Sequence, residues 1–181
     1  MEPDDKTRAQ IFTMQIIAAA LMFGVVTFLA IAFYIVHARN NAQGMAAVAD
    51  VPVLSILAGV MLVANTALAN IVPGIFVRSQ MNQIVDGTWQ PQNQSANMDA
   101  LAGDAAKLMM IRQTSLIVGL ALLEGAAFLG CIAYLLEVTP YALGAVVLAL
   151  GIMITHFPTG SNVMSWIERH EELLRTLREQ K

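Results

Sequence analysis

Charged side chains are scarce in this sequence, and long stretches of it contain almost none. Asp, Glu, Lys and Arg make up 13% of its 181 residues, about half of the roughly 25% that is usual in soluble domains. Most of the charges are grouped in residues 1–8, 78–112 and 137–181. A chain with so little polar sequence cannot cover the core that its apolar residues would form in water, so it is expected to be a membrane protein.

Cysteine pairs, excess positive charge and catalytic motifs are also missing. Cys131 is the single cysteine, which excludes an intramolecular disulfide. The net charge of −3 argues against a nucleic-acid partner. The sequence has no metal-ligand spacing, no phosphate-binding glycine-rich loop and no nucleophile near a base. We therefore expect no enzymatic activity, no cofactor and no metal site, and we expect the lipid bilayer to be the first partner.

Four apolar segments have the length and composition of membrane spans. A transmembrane helix needs about 20 apolar residues to cross a hydrocarbon core of roughly 30 Å. The four segments are residues 11–36, 51–77, 111–136 and 141–157. The third carries Glu124 at its centre, and the fourth is shorter and is followed by Pro158. The sequence predicts an all-α, polytopic membrane protein with four transmembrane helices.

These spans divide the chain into two hairpins and three polar parts. We predict an N-terminus (1–10), a first transmembrane hairpin (11–77), a loop (78–110), a second transmembrane hairpin (111–158) and an amphipathic C-terminal helix (159–181). Apolar residues recur in the last part at helical spacing. This stripe fits either a helix that lies at the membrane surface, anchored by Trp166, or a helix that associates with another copy.

The two predicted hairpins resemble each other, which suggests an internal duplication. A shift of 100 residues aligns 15–36 with 115–136 and matches Phe28 with Phe128. Both hairpins would cross the membrane in the same direction, as parallel repeats. In this alignment Gly24 takes the place of Glu124, so only one half carries the carboxylate.

The orientation follows from the distribution of Lys and Arg around the spans. Nine of the ten basic residues fall on one side: Lys6, Arg8, Arg78, Lys107, Arg112, Arg169, Arg175, Arg178 and Lys181. Only Arg39 falls on the other side. The bias predicts that the N-terminus, the long loop and the C-terminus are cytoplasmic.

Glu124 is the residue most directly suggestive of a function. An ionisable side chain near the bilayer centre is costly unless it is neutral or paired, and the low dielectric favours the neutral acid. Asn65 and Thr66 on the second span and Thr27 on the first lie at similar depth, so all four are candidates for one polar or ion-binding site. A hydrogen bond from Glu124 to Asn65 would be structural. The alternatives are a proton or cation carrier and a contact with a ligand or a partner subunit.

The sequence also carries two resemblances to known families. Through GLALLEGAAFLGCIAYLLE and FPTGSNVMSWIE, the whole chain resembles an uncharacterised group of bacterial four-helix membrane proteins. That likeness implies a topology in the bacterial inner membrane but no known activity. The segment IRQTSLIVGLALLEGAAFLGCIAYLL is similar to the carboxylate-bearing helix of rotary ATPase proteolipid (c) subunits, which has a basic residue near its cytoplasmic start, here Arg112. This local likeness, about one helix long, implies that Glu124 is a proton- or sodium-binding carboxylate.

Two functions therefore stay open from the sequence. The first is a non-enzymatic scaffold or subunit of a membrane assembly, built as a homo-oligomer or with other membrane subunits. The second is a proton- or cation-translocating protein in which Glu124 alternates between charged and neutral forms.

Overall fold

The computed structural model describes residues 5–43, 52–90 and 103–180. Five helices follow one another in these residues: α1 (Asp5–Gln43), α2 (Val53–Val85), α3 (Asp104–Glu137), α4 (Pro140–Thr155) and α5 (Gly160–Glu179). No strand occurs in the described parts of the chain, which confirms the all-α prediction. The long helices α1, α2 and α3 continue past the predicted spans, so both ends of the predicted 78–110 loop are helical where they are described. Residues 91–102, in the middle of that loop, lie outside the described residues.

Three helices, α1 to α3, are long and apolar enough to cross a membrane. The fourth apolar helix, α4, has 16 residues and extends about 24 Å at 1.5 Å per residue. That length is shorter than a hydrocarbon core of roughly 30 Å. After α4 the chain bends by 62° into α5, and the two together count as a fourth crossing if the bent pair is one span. The described residues therefore contain three to four helices that are long and apolar enough to span a membrane, and the four-span topology stays a prediction.

The central helix of the bundle is α3, which packs against each of the other four helices. Gly119 and Gly130 of α3 permit close approach of neighbouring helices, as is usual in membrane helix pairs. A Cβ atom at Gly119 would lie 3.5 Å from the Ala69 carbonyl oxygen of α2. Both α1 and α2 pack on α3 and scarcely touch each other. The two helices of the predicted first hairpin are thus joined through α3 and do not form a packed pair of their own.

The buried side chains form three layers along the bundle. The first layer joins α5 to the start of α1, the end of α2 and the start of α3, and we call this the α5 end. The middle layer combines small residues, including Ala126 and Ala127, with leucine, valine and methionine side chains of α1, α2, α3 and α4. The third layer, at the opposite end, contains Ala32, Ala58 and Ala133. Because the start of α1 meets the end of α2, these helices are antiparallel, and α1 and α3 are parallel.

Residues that the proposed repeat matches come into contact between α1 and α3. The rings of Phe28 and Phe128, which occupy matched positions, meet edge to face with centroids 5.3 Å apart. A Cβ atom at Gly24 would lie 3.5 Å from Glu124 Oε1, and these positions are matched too. The relation does not extend to the second helices, because α4 packs mainly on α3 and only slightly on α1. The second helices of the two predicted hairpins, α2 and α4, therefore both pack on α3, and neither packs closely on α1.

The first turn of α2 is capped by a side chain from α3. Pro52 occupies the N-cap position and provides no side-chain hydrogen bond. The Glu137 carboxylate instead accepts hydrogen bonds from Leu54 N at 2.5 Å, Ser55 N at 2.8 Å and the Ser55 hydroxyl at 2.6 Å. The first backbone N–H groups of a helix have no partner within the helix. Glu137 therefore satisfies groups that the local sequence leaves open, and it ties α2 to the α3–α4 turn.

At the other end, α5 lies against the bundle. The Thr159 side chain caps it by accepting a hydrogen bond from Asn162 N. Its apolar face buries Val163, Ile167 and Leu174 against α1, α2 and α3. The amphipathic helix that the sequence predicts is present, and its stripe is covered by its own chain.

Candidate functional site

Glu124 lies on the face of α3 that meets α1. Its carboxylate is half-buried and packs beside Gly24, where the missing side chain leaves room for it. Among the described residues, Glu124 forms no hydrogen bond and no ion pair. A carboxyl group without a partner inside a membrane span is unusual, because such groups normally pair or face a polar cavity.

The three predicted partners of Glu124 do not assemble around it. The Asn65 amide donates a hydrogen bond to the Leu122 carbonyl oxygen at 2.9 Å, so it binds the α3 backbone. The Thr66 hydroxyl is buried without a hydrogen-bond partner in the described chain and borders a cleft toward α4. Thr27 is exposed on α1. The residues of the predicted polar site therefore lie on different surfaces of the bundle, and the predicted hydrogen bond between Glu124 and Asn65 is not formed.

A narrow exposed stripe runs along α3 next to Glu124. Its members follow one another at intervals of three, four, seven and four residues, which places them on one helix face. They are Val118, Ala121, Gly125, Ile132 and Leu136. A Cβ atom at Gly125 would meet no atom within 4 Å, so this part of the central helix is uncovered. Ala121 and Gly125 form the small-residue pair of a typical membrane helix contact.

A cavity of about 630 Å³ opens at the α5 end between α2, α3 and α5. We call it the basic cavity because Arg78 and Arg112 line it together with His156 and His170, and no Asp or Glu does. Its inner wall reaches Gly119, five residues before Glu124. The two positions are about 140° apart around α3 at 100° per residue. Glu124 does not line this cavity.

Aromatic stacking fixes the charged wall of the basic cavity. The Arg112 guanidinium lies over the Trp166 ring, 5.3 Å from its centroid, and the His170 ring stacks on Trp166 with centroids 3.8 Å apart. Burial, with the nearby charges of Arg169 and Arg112, lowers the pKa of His170, although its hydrogen bond to the Trp166 carbonyl oxygen acts in the opposite direction. The permanent positive charge of the wall therefore comes from the arginines.

Sequence reasoning did not identify the Glu137 cap or the basic cavity. A signal for the cap was the start of α2, where Pro52 stands at a position that usually holds Ser, Thr, Asp or Asn. A signal for the cavity was Arg112, which stands at the start of the third predicted span. The residues four positions away on either side, Leu108 and Leu116, are apolar, so no acidic residue stands at helical spacing to pair with it. Neither signal reveals which residue from another helix completes the site.

No cluster of three or more His, Cys, Asp or Glu side chains that could hold a metal ion occurs in the described residues. No protein-family model, curated protein or solved structure matches the chain.

Proposed function

We propose that this chain is a non-enzymatic subunit of a membrane assembly, in which a partner helix packs on the exposed α3 stripe beside Glu124. The observation that carries the proposal is the Glu124 carboxyl group, which has no hydrogen bond within the described chain. An ionisable group at the centre of a membrane helix costs about 2.5–3.5 kcal/mol on insertion scales. A polar group from a partner helix would offset that cost by accepting a hydrogen bond from the neutral acid.

The surface beside Glu124 suits such a partner. Membrane helices associate by close packing of small residues, with polar side chains as additional contacts. Ala121 and Gly125 supply the small residues, and the open space at Gly125 admits a helix at close range. The partner helix belongs either to a second copy of this chain or to another membrane subunit.

Translocation of protons or cations is the second candidate. It is favoured by the same lack of a fixed partner for Glu124, because a carrier carboxyl must exchange its proton or ion. The resemblance of α3 to the carboxylate helix of rotary ATPase c subunits would give Glu124 that role. Against it, the basic cavity reaches α3 on a face about 140° from Glu124. A route between them would have to pass around the helix.

Substitution of Gly125 tests the assembly. We expect Gly125→Leu to reduce the particle that the tagged chain forms, after mild solubilisation from membranes of its own host, to the mass of the single chain. The added side chain meets open space in the protomer, so the fold should be kept while the partner helix is excluded. Size-exclusion chromatography with light scattering and native gels measure the mass.

Gly151→Leu is the matched control, because Gly151 on α4 is also exposed and open. Equal particle masses for both variants and the wild-type chain would contradict the assembly proposal.

Glu124→Gln separates the two functions, since the amide keeps the hydrogen-bonding shape and cannot ionise. Loss of proton or cation flux in reconstituted vesicles, with the particle mass unchanged, would favour translocation.

A further inference from the structure

The basic cavity combines an apolar wall with a cationic wall. Its apolar part is formed by Ala69 and Pro73 of α2 and by Leu116 and Gly119 of α3, all inside helices that are apolar enough to span a membrane. Its cationic part lies toward the α5 end, where the charged residues of the chain begin. In a bilayer spanned by these helices, the cavity would cross the level at which hydrocarbon gives way to headgroups.

The charge of this cavity lacks a counter-ion within the described chain. Arg112 is half-buried, and its Nε atom is buried with no hydrogen-bond acceptor. The Asp104 carboxylate, eight residues before Arg112 on α3, is bound elsewhere, by Arg178 at 2.6 Å and Lys107 at 3.9 Å. A partly desolvated guanidinium without an anion is unfavourable. An anionic ligand would remove that cost.

Several donors point to an oxyanion as the ligand. Arginine presents a planar set of N–H donors that binds phosphate through two parallel hydrogen bonds. Arg78 lines the same cavity and is exposed. The hydroxyl of Ser115, which also lines it, forms no hydrogen bond with the described residues. Two guanidinium groups and a hydroxyl in one cavity supply hydrogen-bond donors, and charge of the opposite sign, for the oxygens of a singly charged phosphodiester.

We propose that the basic cavity binds the phosphate headgroup of an anionic phospholipid, with acyl chains against its apolar wall. The apolar wall within the spans favours a lipid over a soluble phosphate, which would gain nothing from Ala69, Pro73 and Gly119. Basic pockets between membrane helices are a known means of binding anionic headgroups. The site is independent of Glu124 and of the proposed assembly, because it lies on a different face of α3.

The experiment measures lipid binding to the full-length chain in detergent. Native mass spectrometry and thermal unfolding are recorded with added dioleoyl phosphatidylglycerol or dioleoyl phosphatidylcholine. We expect phosphatidylglycerol to be retained and to raise the unfolding temperature more than phosphatidylcholine does. Arg112→Gln and Arg78→Gln should each weaken phosphatidylglycerol binding about fivefold, as expected for one cation near a membrane surface.

Arg175→Gln is the matched control, because Arg175 is exposed on α5 and does not line the cavity. It should bind phosphatidylglycerol as the wild-type chain does. Arg78→Gln keeps the test informative if Arg112→Gln unfolds, since Arg78 is exposed. Equal binding of the two lipids, or unchanged binding in both cavity variants, would overturn the proposal. Displacement of the lipid by equal concentrations of soluble glycerol phosphate would also overturn it, in favour of a soluble anion.

Discussion

Three glycines of α3 have three different surroundings. Gly119 allows close approach of the α2 backbone, Gly125 faces open space, and Gly130 is covered by α4. A Cβ atom at Gly130 would lie 2.7 Å from Val146 Cγ2 and 3.4 Å from the Ala142 carbonyl oxygen. Val146 is buried, so it has little room to move. The same residue type therefore has a packing role at one position and leaves a surface accessible at another.

Gly130→Ala should destabilise the protein by about 1–3 kcal/mol, the usual cost of overfilling a packed core. The expected change is opposite to the effect of helix propensity alone, which would make the Ala variant more stable than the Gly form by about 1 kcal/mol. Unfolding in mixed micelles with increasing denaturing detergent measures the difference. Gly151→Ala, at an exposed and open position of α4, is the control and should be neutral or stabilising by up to about 1 kcal/mol. Equal stability of the two variants would contradict the close α3–α4 contact.

At the scale of the elements, the chain uses contacts between helices to complete helix ends. The first turn of α2 depends on Glu137 of α3, and the turn after α4 receives a hydrogen bond from Gln15 of α1 to the Pro158 carbonyl oxygen at 3.0 Å. At the α5 end, Arg178 binds Asp104 at 2.6 and 3.1 Å. That pair is exposed, so it contributes at most about 1 kcal/mol. The buried cap at Glu137 should contribute more.

Glu137→Ala should destabilise the protein by about 1–3 kcal/mol, because buried donors at the start of α2 lose their acceptor. Hydrogen exchange should show the effect locally, with faster exchange at Leu54 and Ser55 and little change in α5. Glu168→Ala, which removes an exposed carboxylate from α5, is the control. Unchanged protection of the first α2 turn in Glu137→Ala would show that the cap does not hold α2.

For the whole molecule, the number of crossings depends on whether α4 and its bent continuation span the membrane. Four crossings place both ends of the chain on one side, and three place them on opposite sides. The basic residues favour one side for both ends. The length of α4, about 24 Å, is short for a crossing, but local thinning of the bilayer accommodates a short span at modest cost.

Labelling of single cysteines decides the number of crossings. In a Cys131→Ala background, Thr7→Cys and Gln180→Cys should both react with a membrane-impermeant maleimide from the cytoplasmic side. Asn41→Cys, at the exposed far end of α1, should react only from the other side and serves as the control. Labelling of Thr7→Cys and Gln180→Cys from opposite sides would contradict the four-span topology.

The sequence by itself determined the all-helical class and the positions of the apolar segments that could span a membrane. These features depend on local composition, because about 20 apolar residues in a row can satisfy their backbone in lipid only as a helix. The amphipathic character of α5 was predictable for the same reason, since its stripe follows from helical periodicity. Glu124 stood out as the ionisable residue at the centre of a span.

Only the tertiary structure decided what those residues meet. Depth along a span placed Glu124, Asn65, Thr66 and Thr27 at one level, but their directions around the helix axes separate them. The central position of α3, the cap from Glu137 and the basic cavity around Arg112 all depend on which helices become neighbours. Neighbours are selected by close packing of small residues from distant parts of the chain, and a single apolar sequence pattern is compatible with many such arrangements.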